Sequence, residues 1–285
     1  VLRDGHQSFD LVGMFKPVTY MAREVSQKER ILEQLHDAFR TALSGKRGPV
    51  FLSMPSDILT DQTIDGEILA PATYRAVNGR MRGDAQAVQR AAALLAQAQR
   101  PLLLAGGGVV EGDACAEAVA LAEMLDMALV PGYGHNDAVP NSHRLYVGVT
   151  GNRGSPEALE AIHRADVILA LGSRLSQDTT GWDFSCINPQ TRIVQVDIDA
   201  QEVGRNYAIE VGIVGDPKLV LRQIIDKIKE MKLDFSAKRE SPWTKQIADI
   251  RSNYEKLIGE RAVKFANNTP LHPDRLTSDL MKVID

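Results

Sequence analysis

The chain has 285 residues, of which 44% are apolar and 25% charged, and its formal net charge is −4. This balance is typical of an ordinary soluble globular protein, and the lack of a basic block argues against a nucleic-acid partner. No apolar run is long enough to span a bilayer, so no membrane partner is expected.

The N-terminal stretch contains few predicted elements. Apolar residues repeat with helical spacing over residues 31–43, and Val50–Met54 reads as a short buried strand between Pro49 and Pro55. One helix and one strand are too little for an independent domain. Residues 63–83 carry few large apolar side chains and several glycines, which predicts a linker.

From residue 84 the pattern becomes regular, with strands and helices in alternation. The predicted helices cover residues 84–99, 113–125, 155–165 and 216–228, and the predicted strands cover 101–105, 127–130, 166–171, 192–197 and 209–214. Alternation at this spacing indicates βαβ units and a parallel sheet. We therefore predict that residues 84–232 form one α/β domain, Rossmann-like, with a doubly wound parallel sheet of about six strands.

The centre of this domain is the run Arg100–Gly112, in which Gly106, Gly107 and Gly108 follow a predicted strand. A glycine turn at the carboxyl end of a parallel strand, before a helix, is where α/β proteins place phosphates. The run does not complete the G-x-G-x-x-G fingerprint, and no acidic residue follows at the spacing of a ribose-binding carboxylate. A tight turn without a ligand explains the glycines equally well.

The C-terminal stretch turns polar after Lys232. A charged helix is predicted over residues 242–265, with Trp243 and Tyr254 as its anchors. A final amphipathic helix follows Thr269–Pro273. We assign residues 233–285 to a linker and the start of another domain.

The two cysteines give an indication of the redox compartment of the protein. Cys115 and Cys186 lie far apart and have no metal-ligating neighbours. This spacing indicates neither a disulfide framework nor a metal site, and it favours a reducing, cytoplasmic compartment. The chain opens with Val1 rather than Met, and we expect it to be part of a longer protein.

Several stretches occur together in a specific order. They are His6-Gln7-Ser8, Gly48–Asp57, Ala105–Gly108, Ala165–Leu175, Gln195–Asp199, Gly215-Asp216 and Thr269–Pro273. In this order they resemble the thiamine-diphosphate-dependent enzymes and, among them, the acetolactate synthases. The resemblance assigns residues 1–62 to the end of a pyrimidine-binding domain, 84–232 to the central domain and the C-terminal stretch to the start of a diphosphate-binding domain.

The resemblance implies a parent enzyme that uses thiamine diphosphate and Mg2+ to decarboxylate a 2-keto acid and transfer the acyl unit, as a homodimer or homotetramer. In this family a glutamate early in the first domain activates the cofactor, and a Gly-Asp-Gly motif in the third binds magnesium. Neither is identified here, so we expect no catalytic residue and no metal site in this chain, and no activity from it alone. His6, together with Gln7, is expected to line the substrate pocket of a neighbouring subunit, and a turn residue is an equally good interpretation of His6.

Two other functions stay open. The loop Tyr133–Ala138, with Ser142-His143, is similar to sulfoacetaldehyde acetyltransferases. A stand-alone module that binds FAD, NAD or CoA would also explain residues 84–232. We further expect exposed apolar patches and self-association.

The resemblance also implies FAD in the central domain. The matching positions are Arg80, Gly106, Gly107, Gly108, Gly132, Tyr133, Gly134, Gly148, Gly172, Arg174, Asp197, Ile198 and Asp216. The sequence departs from the FAD-binding members at Leu175–Asp178, where they have Phe-Asp-Asp-Arg, and at Thr150, where they have His. His6-Gln7-Ser8 instead resembles catabolic acetolactate synthases, which lack FAD. Bound FAD, another nucleotide and an empty pocket all remain open.

Overall fold

The computed structural model describes residues 9–59, 66–70, 73, 80–152 and 154–283. It divides into two compact units, Val1–Arg80 and Met81–Asp285. Within the described residues, no helix is long and apolar enough to cross a membrane.

The first unit contains a two-stranded parallel sheet. Its elements are α1 (Leu11–Phe15), β1 (Met21–Glu24), α2 (Ile31–Leu43), β2 (Val50–Ser53) and α3 (Ser56–Leu59). The rings of Phe15 and Phe51 stack with centroids 4.1 Å apart. The predicted helix and strand are both confirmed, but the strand was expected to be buried and all four residues of β2 are half-buried. β1 was not predicted, because its sequence Met-Ala-Arg-Glu has no apolar alternation.

The second unit is built on a five-stranded parallel sheet in the order β4-β3-β5-β6-β7. The strands are β3 (Pro101–Ala105), β4 (Ala128–Pro131), β5 (Val167–Leu171), β6 (Arg192–Asp197) and β7 (Val211–Val214). Every residue of β3, β4 and β5 is buried. Strands covered on both faces need continuous apolar side chains, and the runs Leu102–Leu104 and Val167–Leu169 provide them.

Helices cover both faces of this sheet. They are α4 (Ala85–Gln97), α5 (Gly107–Glu111), α6 (Cys115–Leu125), α7 (Pro156–Arg164), α8 (Pro217–Glu230) and α9 (Pro242–Lys264). A further helix, α10 (Pro273–Leu280), packs against α9. The chain passes from β3 through α6 to β4 on one side, then through α7 to β5 on the other side of β3. Right-handed crossovers therefore place α6 and α7 on opposite faces. α4 and α6 pack against α8, and α9 packs against α7. The predicted doubly wound α/β fold is confirmed.

The predicted strand count was wrong, because the described sheet has five strands rather than six. Residues 145–147 take the sixth place, beside β4. The Leu129 N–H donates to the Leu145 carbonyl at 2.8 Å and the Val147 N–H to the Leu129 carbonyl at 3.2 Å, yet only one bridge, Leu129 to Tyr146, results. Gly148 follows with φ +108°, a conformation outside the extended region, so the pairing stops there.

α9 is joined to the central sheet by its first turn. The buried indole of Trp243 donates from Nε1 to the Pro101 carbonyl at 3.0 Å, at the start of β3. Further along, the Tyr254 ring meets the Tyr146 ring edge-on at 5.9 Å. The two predicted anchors of this helix are therefore confirmed.

Candidate functional site

The carboxyl edge of the central sheet brings most of the predicted site residues together. The chain leaves β3 toward one side of the sheet and leaves β5 toward the other. The gap between these two strands is therefore the topological switch point, where open α/β sheets bind ligands. The turns that flank it are Gly106–Gly108 after β3 and Gly172–Arg174 after β5.

Backbone hydrogen bonds join the loops along this edge. Gly132 donates its N–H to Ala105 at 2.7 Å, Gly106 to Leu171 at 2.9 Å, Gly108 to Gly172 at 3.1 Å, Gly172 to Val196 at 2.8 Å and Gly215 to Asp197 at 2.9 Å. Each acceptor is a carbonyl of a neighbouring strand or turn. Four of the seven glycines predicted to contact a cofactor thus use their N–H groups within the protein.

His135 lies against the turn after β3. A Cβ built on Gly107 would come within 2.7 Å of His135 Nε2, so the imidazole packs directly on this glycine. Among the described residues, the ring makes no hydrogen bond. Loop 132–137 is shaped by the backbone, since the His135 N–H bonds to the Gly132 carbonyl at 3.0 Å and Gly134 has φ +78°. In the sequence, His135 was singled out only as part of the loop Tyr133–Ala138.

Tyr133 lies on the same loop and is exposed. Its side chain packs against Gly151, where an added Cβ would lie 2.7 Å from the Tyr133 Cβ. Buried Thr150 fixes this region by donating from Oγ1 to the Thr179 carbonyl at 2.7 Å. The loops after β4 and β5 therefore meet beside Tyr133.

The loop after β5 carries Arg174, which is exposed. Its backbone is held in place because Asn206 Nδ2 donates to the Arg174 carbonyl at 2.8 Å. Trp182, later in the same loop, is 60% exposed and has φ +66°, a left-handed conformation that a bulky side chain rarely adopts.

Gln195 is a site residue that the sequence did not reveal. It is buried in β6 and donates from Nε2 to the carbonyls of Ser173 and Glu202, each at 3.1 Å. Its Oε1 accepts the Gly204 N–H at 2.7 Å. One side chain thus ties the loop after β5 to the loop after β6. A polar residue inside an apolar strand pattern was the signal available.

Two acidic side chains at this edge, Asp197 and Asp216, accept hydrogen bonds from backbone N–H groups. Asp197 Oδ1 accepts the Asp199 N–H at 2.9 Å, which closes the turn after β6. Asp216 caps α8, since its Oδ1 accepts the Leu219 N–H at 3.1 Å. Ile198, between Asp197 and Asp199, is half-buried.

The remaining predicted residues are less closely connected to the switch point. Gly148 packs against Ser155, the N-cap residue of α7. Arg80 is exposed and ends the first unit. His6 and Gln7 lie outside the described residues.

Two titratable groups near the β5–β6 connection, Cys186 and Tyr207, are not activated. Burial raises the pKa of the Cys186 thiol to about 11. Burial also raises the pKa of the Tyr207 hydroxyl to about 12. Both groups are therefore protonated near neutral pH, and a protonated thiol is a poor nucleophile. In the part of the chain that the structure describes, no three His, Cys, Asp or Glu side chains are grouped so as to hold a metal ion.

The hydrogen bonds and contacts of the glycine turn decide whether it fits the diphosphate of FAD. Such a group binds where backbone N–H groups point at it without another acceptor. The N–H groups of Gly106 and Gly108 already donate to Leu171 and Gly172, and the His135 ring covers Gly107. The turn therefore does not fit a dinucleotide diphosphate at the switch point.

Comparisons with known proteins agree with this fold. Residues 88–224 match the family described as "Thiamine pyrophosphate enzyme, central domain". Benzoylformate decarboxylase from Polynucleobacter necessarius superposes with a TM-score of 0.65 at 22% sequence identity, over 76% of this chain and 40% of that one. At this identity the superposition shows the fold alone.

Sequence relatives extend the similarity over nearly the whole chain. The probable acetolactate synthase large subunit of Methanocaldococcus jannaschii is 31% identical over 285 residues, which is 99% of this chain and 46% of the relative. The probable sulfoacetaldehyde acetyltransferase of Rhizobium meliloti is 37% identical over 256 residues, which is 86% of this chain and 42% of the relative. The chain thus spans less than half the length of these curated relatives.

Proposed function

This chain belongs to the acetolactate-synthase-like family of thiamine pyrophosphate enzymes, and from that premise we propose that the longer protein decarboxylates a 2-keto acid and transfers the acyl unit to a second acceptor. The alignment with an acetolactate synthase large subunit over 99% of the chain carries this proposal. Pyruvate is the keto acid to test first, because this relative is named for the formation of acetolactate.

The cofactor we propose for the longer protein is thiamine diphosphate with Mg2+. Thiamine diphosphate supplies a carbanion that adds to the keto acid and then accepts its electrons. The 285 residues contain no Gly-Asp-Gly sequence, and the described ones hold no cluster suited to a metal ion. The proposed role of residues 88–224 is therefore that of a scaffold, and we expect this chain alone to be inactive.

The domain boundaries that we propose along the chain are those that the family resemblance implies. We propose that residues 1–62 end a pyrimidine-binding domain, 63–83 link it to the central domain at 84–232, and 233–285 lead into a diphosphate-binding domain. The family match at residues 88–224 supports the central assignment. We also propose a homodimer or homotetramer in the cytoplasm. FAD is left out of this proposal, because the turn does not fit its diphosphate.

A second candidate function is that of a sulfoacetaldehyde acetyltransferase. The relative with this name is 37% identical, and the loop Tyr133–Ala138 resembles such enzymes. A stand-alone nucleotide-binding module explains the match at residues 88–224 but not an alignment over 99% of the chain.

The test is to express the whole parent reading frame with thiamine diphosphate and Mg2+, and to follow carbon dioxide release and acetolactate formation from pyruvate. The 285-residue chain serves as the control. We expect acetolactate from the whole protein and none from the control.

The other outcomes separate the alternatives. Consumption of sulfoacetaldehyde but not of pyruvate, followed by NMR, would favour the acetyltransferase. A whole protein that binds no thiamine diphosphate in calorimetry would overturn the enzyme proposal.

A further inference from the structure

The switch point of the central sheet is closed by backbone rather than left open as a crevice. Gly106 and Gly108 follow β3, and Gly172 follows β5. An added Cβ on Gly106 would lie 2.8 Å from Ser173 Cα, and one on Gly108 would lie 2.7 Å from Gly172 Cα. Nonbonded carbon atoms approach to about 3.5 Å, so neither position has room for even one more carbon.

The same contact exists in the reverse direction. A Cβ on Gly172 would lie 2.5 Å from Gly108 Cα. Two hydrogen bonds close the contact, from Gly106 to Leu171 and from Gly108 to Gly172. The two turns therefore touch main chain to main chain, which only glycine permits.

We infer that Gly106, Gly108 and Gly172 form a glycine clasp that locks the carboxyl ends of β3 and β5 together, and that the diphosphate of a dinucleotide does not enter between them. The glycines satisfy a packing need that is present without any ligand. The inference does not depend on the reaction proposed for the longer protein.

Gly107 provides the contrast within the same turn. Its added Cβ would meet the His135 ring, a side chain that can rotate away, and no main-chain atom is among the nearest contacts. Gly132 is similar, since its nearest contact is the Ala105 carbonyl at an ordinary 3.4 Å. A methyl group is therefore forbidden at the clasp and tolerated beside it.

The first experiment measures thermal unfolding of the 285-residue chain without ligand. We expect Gly106→Ala and Gly108→Ala to lower the unfolding midpoint by about 5 to 10 °C, or to prevent folding. Gly107→Ala and Gly132→Ala, the matched controls, should change it by less than about 2 °C. Gly108→Ala is the sharper variant, because alanine favours the helix in which Gly108 lies.

The stability outcome is decisive in either direction. A ligand-binding turn would accept alanine without loss in the absence of ligand, so four variants of equal stability would overturn the clasp. A lower unfolding midpoint for Gly106→Ala and Gly108→Ala, but not for the two control variants, would establish the clasp.

The second experiment titrates the chain with FAD and follows flavin fluorescence anisotropy. We expect no saturation up to about 1 mM FAD. Saturable binding below about 0.1 mM that Gly107→Ala weakens tenfold would place the diphosphate at the turn and overturn the inference. Saturable binding unchanged by Gly107→Ala would place the flavin elsewhere and leave the clasp intact.

Discussion

Gln195 shows how single side chains organise the carboxyl edge of the sheet. It is buried and makes three hydrogen bonds to two loops. Buried polar groups cost free energy unless they are paired, so a side chain that pairs every polar atom also fixes the groups it pairs with.

We predict that Gln195→Ala lowers the free energy of unfolding by about 2 to 4 kcal/mol, because two carbonyls and one N–H lose their partner. Urea denaturation followed by circular dichroism measures the change. Gln201→Ala, at an exposed position six residues later, should change stability by less than about 0.5 kcal/mol. Equal effects of the two variants would contradict the assigned role.

Two half-buried groups, the Cys186 thiol and the Tyr207 hydroxyl, predict how stability depends on pH. Burial raises the pKa of Cys186 from 9.0 to about 11. It raises the pKa of Tyr207 from 10.0 to about 12. The folded chain therefore holds these protons more tightly than the unfolded chain, so their contribution is complete below pH 9 and is lost as pH rises through 9 to 12.

We expect the urea midpoint to fall over this alkaline range, and Tyr207→Phe to flatten the part of the fall above pH 10. A midpoint that falls equally steeply in the variant would contradict the assignment. Tyr20→Phe is the control, because Tyr20 is 54% exposed.

At the scale of elements, α9 belongs structurally to the central sheet. Its buried residues are Trp243, Ile247 and Ile250, which form one helical face packed into the core of the second unit. The helix was predicted from its charge and its two aromatic anchors. Its attachment to the Pro101 carbonyl depends on residues 142 positions apart and could not be predicted from local pattern.

We predict that Trp243→Ala lowers the free energy of unfolding by about 3 to 5 kcal/mol, because it removes a large buried side chain. Trp243→Phe should cost less, about 1 to 2 kcal/mol, since it chiefly removes the hydrogen bond. Trp182→Ala is the matched control, because that indole is 60% exposed. Similar losses for Trp182→Ala and Trp243→Ala would contradict the packing of α9.

At the scale of the whole molecule, large apolar side chains are exposed in both units. In the first unit Phe9, Met14, Val18 and Tyr20 are more than half exposed, and in the second Leu276 and Leu280 are 47% and 44% exposed. Leu276 and Leu280 are four residues apart on α10, so they lie on the same side of the helix.

We therefore expect the chain to self-associate at concentrations above about 10 µM, and the double variant Leu276→Glu, Leu280→Glu to weaken that association. Sedimentation velocity measures both. Ser252→Glu, Asn253→Glu adds the same charge at exposed polar positions and should have no effect. A monodisperse monomer of the unchanged chain would contradict the prediction.

The sequence by itself determined the fold class, the order of strands and helices in the second unit, and the family. These follow from local patterns, since apolar periodicity, helix caps such as Asp216 and motif order are properties of neighbouring residues. It could not decide between a ligand-binding glycine turn and a tight one. Only the tertiary structure shows the turn after β3 meeting the turn after β5, about 65 residues later in the chain. The sequence also did not decide the number of strands in the sheet, because strand pairing joins residues that are distant along the chain.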